Sequence, residues 1–210
     1  IQMGKFSHRF ILQVFGFKGK FPKACFSEAV PTERLKMKKV TVYESTSQLI
    51  ILATGGTIDK SYGVGAGVRE LSFSSESAIT DILREVQAAL EYPIVRLMAK
   101  DSLDMNDTDR ATIVAMCSAV PQPRVLITHG TDTMDKTAAA IAARRIAKTI
   151  VLTGAGQPAV VKGTDANFNV GFALSSALSA SRGVYIAMNA RLYVWNKCKK
   201  NEVTGVFEPT

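Results

Sequence analysis

Ile50-Ile51-Leu52-Ala53-Thr54-Gly55-Gly56-Thr57-Ile58 is an apolar run that stops in a Thr-Gly-Gly-Thr loop. A second unit of the same kind follows at Val125-Leu126-Ile127-Thr128-His129-Gly130-Thr131-Asp132-Thr133-Met134. Each is a short aliphatic, β-branched stretch ending in a turn rich in hydroxyls and glycine. In an α/β chain such stretches are parallel strands, and their loops lie at the carboxyl ends, where open sheets bind ligands. Two threonine loops on one crevice point to paired hydroxyls for acyl transfer rather than to a single phosphate cradle.

On either side of these units, strand and helix patterns alternate. Residues 48–53 read as a buried strand, and the glycine-rich residues 55–73 read as a loop. Residues 76–90 place Ile79, Ile82, Leu83, Val86 and Leu90 at helical spacing, with serines ahead as N-caps. Pro93 opens a strand at 94–99, and Asn106, Asp107 or Thr108 caps a helix that runs to Ala119, before Pro121 and Pro123. Strands are expected at 124–128, 149–153 and 183–188, helices at 132–146 and 168–180, and a loop at 154–165. This alternation predicts an α/β fold: a doubly wound, mostly parallel sheet flanked by helices, with right-handed crossovers.

The net charge of +8 raises the question of a nucleic-acid partner. Residues 1–39 carry nine Lys/Arg against Glu28 and Glu33, a net +7, whereas the other 171 residues carry 17 basic and 16 acidic groups, a net +1. The body therefore lacks the basic stripe that neutralises phosphates, and no nucleic-acid partner is expected. Residues 1–36 read as a basic, phenylalanine-dotted leader, disordered or foreign to the domain, and residues 37–210 as the α/β domain. No apolar run reaches the roughly 20 residues of a membrane span, so no membrane partner is expected. Cys25, Cys117 and Cys198 form neither a disulfide framework nor a zinc pattern, which points to a reducing, cytoplasmic setting.

Amide hydrolysis needs a nucleophile, a proton acceptor and stabilisation of an oxyanion. Thr54 stands before two glycines, and its hydroxyl is a candidate nucleophile; the alternative is that Thr-Gly-Gly-Thr is only a tight turn. Thr131 and Asp132 set a hydroxyl beside a carboxylate at a strand end, where either can also cap the next helix. His129 is the only histidine of the neutral body. A lone histidine in such a run is more often a packed structural residue than a catalyst.

These motifs, in this order, resemble those of the bacterial-type L-asparaginases. Ala53-Thr54-Gly55-Gly56-Thr57-Ile58 is similar to the family's first signature, and His129-Gly130-Thr131-Asp132-Thr133-Met134 to its second. Between them, Ser61-Tyr62-Gly63-Val64-Gly65 resembles the family's tyrosine loop, and Ser102-Leu103-Asp104-Met105-Asn106-Asp107 its Ser-x-Asp-Met-Asn-Asp segment. The resemblance implies an N-terminal asparaginase/glutaminase domain, in a short single-domain form or as a fragment. It implies Thr54 as nucleophile, Tyr62 as its proton partner on the loop, and Ser102 as a holder of the substrate α-carboxylate. Thr131 and Asp132 would form a second catalytic group with a lysine, Lys200 by count from Met188-Asn189, with Lys197 and Lys199 close by. A desolvated lysine can act as a base. No metal or organic cofactor is implied.

Leu103 departs from the family, which carries a substrate-binding glutamine at that position. The chain is also about half the length of full members, whose C-terminal domain completes a neighbouring subunit's site. The expected function is therefore amide hydrolysis of the L-asparagine type through a threonine nucleophile, in a homo-oligomer (dimer or tetramer). A non-catalytic amino-acid-binding or regulatory domain is the alternative. An amidotransferase component ranks third, and nucleotide binding is poorly supported because no Walker lysine or G-x-G-x-x-G is present.

Overall fold

The computed structural model describes residues 47–62, 71–89 and 92–210. The 1–36 leader, the boundary at Met37, Gly63, Val64, Gly65 and Leu90 lie outside the described residues. Strand β1 (Leu49–Gly55) is buried along its whole length, as expected of a parallel strand covered on both faces. It lies inside a six-stranded sheet of order β4-β1-β5-β6-β7-β8. Here β4 is Ile94–Lys100, β5 Arg124–Thr128, β6 Thr149–Thr153, β7 Gly183–Met188 and β8 Arg191–Val194. All neighbours pair in parallel except β7 and β8.

The helices cover both faces. Leu49 and Ile51 of β1, Leu126 of β5 and Val151 of β6 point to one side. There they pack on Ile79 and Ile82 of α1 (Ile79–Glu85) and on Val170, Ala173 and Ala177 of α4 (Ala166–Ser179). Small side chains let α4 lie close to the sheet. Residues of opposite parity, Ile50, Leu52, Ile127 and Leu152, are equally buried. The other two helices, α2 (Asp107–Ala119) and α3 (Met134–Ala143), supply Ile113, Cys117, Met134, Ala138 and Ile141 to the interior. This is the doubly wound, mostly parallel α/β fold expected from the alternation.

Strand order reverses between β1 and β5, since the chain runs from β1 to β4 on one side and then to β5 on the other. Such a switch point leaves a crevice at the strands' carboxyl ends. The two threonine loops emerge there.

Several boundaries differ from expectation. The segment expected as a loop at 55–73 instead contains a 3₁₀ turn (Thr57–Asp59) and an antiparallel pair, β2 (Lys60–Tyr62) with β3 (Leu71–Phe73). Helix α1 is shorter than expected: Ser77 Oγ accepts from the Ile79 amide at 3.4 Å at its start, Gln87 at φ +49° follows its end, and Asp59 holds the N-terminal turn in place. Its Oδ1 accepts from Ser77 Oγ and the Ala78 amide, both at 2.8 Å. Asn106 proves to be the cap of α2: its side chain accepts from Asp109 N, and the Asp109 carboxylate accepts from Asn106 N. Strands β8, β9 (Cys198–Lys200) and β10 (Phe207–Pro209) were not anticipated.

Candidate functional site

The two loops meet backbone to backbone. Gly56 has φ +83°, and a methyl group there would sit 2.4 Å from the Gly130 nitrogen. Gly130 in turn lies against Ser102, whose Oγ would be 2.6 Å from a methyl at Gly130. Only glycine permits this stacking of the first signature on the second and of the second on the turn after β4. Thr57 and Thr131 each follow one of these two touching glycines.

Thr54 is placed differently from the expectation. It is still within β1, fully buried, and its hydroxyl donates to the Thr128 carbonyl at 2.7 Å. That bond staples β1 to β5 and occupies the proton a nucleophile must give up. Thr57, the second threonine of the loop, begins the 3₁₀ turn and is half-buried. Its turn is clamped on both sides: Ile58 O accepts from Ala159 N and Asp59 O from Ser74 N. Burial raises the Asp59 carboxyl above the usual carboxylate range, opposed by its bonds to Ser77 and Ala78.

Of the three lysines named from the sequence, Lys200 is in hydrogen-bond contact with Thr131. Lys200 Nζ donates to Thr131 Oγ1 at 2.8 Å and to Asp132 Oδ1 at 2.5 Å. Lys197 and Lys199 are exposed. One ammonium thus donates to both a hydroxyl and a carboxylate just beyond the end of β5. Lys200 also lines an open, polar pocket with Asn201, Glu202 and Glu208.

Ser102 is fully buried and its hydroxyl has no hydrogen-bond partner among the described residues. Its carbonyl accepts from Thr133 Oγ1 at 2.7 Å, and Thr133 accepts in turn from Arg110. Leu103, by contrast, is 71% exposed, and Tyr62 on β2 is 60% exposed. The Tyr62 strand is tied to the start of the Ser102 turn by Lys60 and Asp101, 2.6 Å apart. The Lys60 hydrogen bond holds the Asp101 carboxyl below the usual carboxylate range.

His129 is structural. It is fully buried, with Nδ1 donating to the Gly130 carbonyl at 2.7 Å and Nε2 accepting from Thr137 at 2.8 Å. A carbonyl can only accept, which fixes the neutral tautomer. Burial lowers the imidazole to about 4. The unfolded chain, titrating near 6.5, therefore takes up a proton first as pH falls. Unfolding free energy should decline between about pH 6.5 and about pH 4, by roughly 3 kcal/mol in all. Asp59, raised in the fold, contributes in the opposite sense at the acid end. Urea unfolding of the native chain and of His129→Gln across this window isolates the imidazole: the variant should lose the slope, and equal slopes would clear His129 as its source.

No described helix is long and apolar enough to cross a membrane. Residues 48–207 match the family described as Asparaginase, N-terminal. The chain is 31% identical over 172 residues to a protein named "Probable L-asparaginase periplasmic" from Haemophilus influenzae, covering 75% of this chain and 47% of that one. It is 27% identical over 172 residues to a component of the glutamyl-tRNA(Gln) amidotransferase of Thermococcus kodakarensis, covering 80% and 37% respectively. In fold it is similar to the thermostable L-asparaginase from Thermococcus kodakarensis, with TM-score 0.66 and 24% identity over 77% of this chain and 50% of that one. The chain thus spans about half the length of the curated L-asparaginase it matches. With both signatures in place at one switch-point crevice and the family match running through them, this chain belongs to the asparaginase family, as a member of its N-terminal domain.

Proposed function

We propose that this domain hydrolyses a small side-chain amide, L-asparagine or a close relative, to the acid and ammonia. The observation that carries the reading is the bonded group Thr131, Asp132 and Lys200, set beside the Thr57 loop by the Gly56–Gly130 contact. Thr57, rather than Thr54, is the nucleophile: it lies beyond the strand, whereas the Thr54 hydroxyl is spent on Thr128. Its oxygen bonds to the amide carbon, the carbon–nitrogen bond breaks, and the hydroxyl proton leaves on ammonia. Water then hydrolyses the ester, with Thr131 and Lys200 steering its proton and Tyr62 serving the first loop. Ser102, whose hydroxyl lacks a partner among the described residues, would hold the substrate carboxylate, and Asp132 its ammonium.

Ammonia release from asparagine, glutamine, a ureide and a short peptide amide tests the reading directly. Clear binding of asparagine or aspartate with no ammonia from any of them would replace it with the non-catalytic alternative. The likeness to an amidotransferase component keeps an ammonia-supplying role as a second reading, built on the same hydrolytic step. Cytoplasmic residence and a homo-oligomer that shelters the open site, where the Asp132 side chain is 43% exposed, belong to the same proposal. Light scattering of the active protein at monomer mass would remove the oligomer.

A further inference from the structure

Lys200 reaches Thr131 and Asp132 from a short hairpin, β9 with β10, that lies outside the six-stranded sheet. What fixes that hairpin decides where the ammonium sits. Lys200 is directly opposite Phe207. The neighbouring Asn201 amide donates to the Val206 carbonyl, so the Lys200–Phe207 pair is one whose own backbone groups point away from the partner strand. Residues opposed in this way share a face and bring their side chains close. The Phe207 side chain is 2% exposed, which makes it the hairpin's anchor in the domain.

The outward-pointing groups of Phe207 are both taken by the turn between β7 and β8 and the strand after it. Its amide donates to Asn189 Oδ1 at 3.4 Å, and its carbonyl accepts from the Tyr193 hydroxyl at 2.8 Å. Asn189 is itself held, its amide donating to Asn169 Oδ1 at 3.2 Å. Asn169, buried on α4, donates to Gly154 O at 3.0 Å and to Asp165 Oδ2 at 2.9 Å. Asn189 has φ +52°, a conformation that asparagine and glycine tolerate best. A continuous set of bonds therefore runs from α4, through the β7–β8 turn, to the strand partner of Lys200.

We infer that Asn189 and Tyr193 are positioning residues for Lys200: they lock Phe207 and so aim the ammonium at Thr131 and Asp132. The inference rests on the proposed catalytic role of Lys200. Their hydrogen bonds go to Phe207 and Asn169 rather than to Thr131, Asp132 or Lys200, and no signature covers Tyr193.

The test uses the full 210-residue chain and ammonia release from its best amide substrate. Asn189→Gly keeps the backbone preference and removes only the acceptor, while Asn189→Asp keeps an acceptor. Tyr193→Phe removes only the donor to Phe207. Misplacing a catalytic group by a fraction of an ångström lowers turnover, so kcat should fall about tenfold in Asn189→Gly and Tyr193→Phe, with KM changed less than about twofold. Asn189→Asp should recover most of the rate. In a Lys200→Met background, neither substitution should lower the residual rate further, because both act through the lysine.

A wild-type kcat in folded Asn189→Gly and Tyr193→Phe, with Lys200→Met inactive, would overturn the positioning role and leave the functional reading standing. Full activity in Lys200→Met would instead remove the lysine from the chemistry and the inference with it. If Asn189→Gly does not fold, Tyr193→Phe and its double variant with Lys200→Met decide the matter.

Discussion

Thr57→Ala should lower ammonia release by at least about a hundredfold, because acyl transfer cannot begin without its nucleophile. Thr131→Ala should fall in the same range, since it removes the hydroxyl that Lys200 Nζ bonds at 2.8 Å. Neither change should cost much stability: a small loop hydroxyl contributes about 1 kcal/mol net. Thr54→Val is the contrasting experiment. It deletes the donor to the buried Thr128 carbonyl, so the expected loss is about 1–3 kcal/mol of stability, with most of the rate retained. Ammonia release and urea unfolding measured on the three variants separate Thr54 from Thr57. Loss of activity in a well-folded Thr54→Val, with Thr57→Ala still active, would return the nucleophile to Thr54.

Gly56→Ala should be strongly destabilising. Gly56 has φ 83° and ψ 178°, a region essentially closed to other residues and worth about 1–3 kcal/mol of strain. The added carbon would also lie 2.4 Å from Gly130 N and 2.8 Å from His129 C. Backbone atoms cannot step aside as a flexible side chain can, so overpacking adds about 1–3 kcal/mol more. The sum is a large share of the roughly 5–15 kcal/mol that holds a typical domain together. Gly163→Ala provides the control, because Gly163 also has positive φ (+81°) but nothing within 4 Å of the new carbon. It should show backbone strain alone, about 1–2 kcal/mol. Equal urea midpoints for the two variants would mean that the signatures do not press on one another. Activity in Gly56→Ala should fall further than its stability accounts for, since the methyl parts the two loops.

The pH dependence attributed to His129 and the behaviour of the Asn189 variants bear on different parts of the same crevice. His129 holds the backbone of the second signature from below through the Gly130 carbonyl and Thr137. The β7–β8 turn holds the lysine from the side. Changes in the first should move stability with pH, and changes in the second should move kcat at constant fold.

The sheet and its crevice were legible from local patterns of residues alone. Strands β1, β5 and β6 bury both faces, so they appear as unbroken aliphatic runs, and the Thr-Gly-Gly-Thr and His-Gly-Thr-Asp turns mark their carboxyl ends. The helices were legible in type from their apolar spacing, and Asn106 was among the three caps available to α2. Where the members of those motifs sit was decided by packing in three dimensions. Strand β1 continues through Gly55, two residues past the apolar run, because ladder pairing rather than hydrophobicity sets its end. That extension buries Thr54 and leaves Thr57 as the first threonine outside the sheet. Lys197, Lys199 and Lys200 are equivalent in composition and nearly so in position. Successive residues of a strand point to opposite faces, so Lys200 turns to Thr131 while Lys199 is exposed. The face that β9 presents is fixed by Phe207, Asn189 and Tyr193. Those contacts join separate segments of the chain, and no local pattern of residues encodes them.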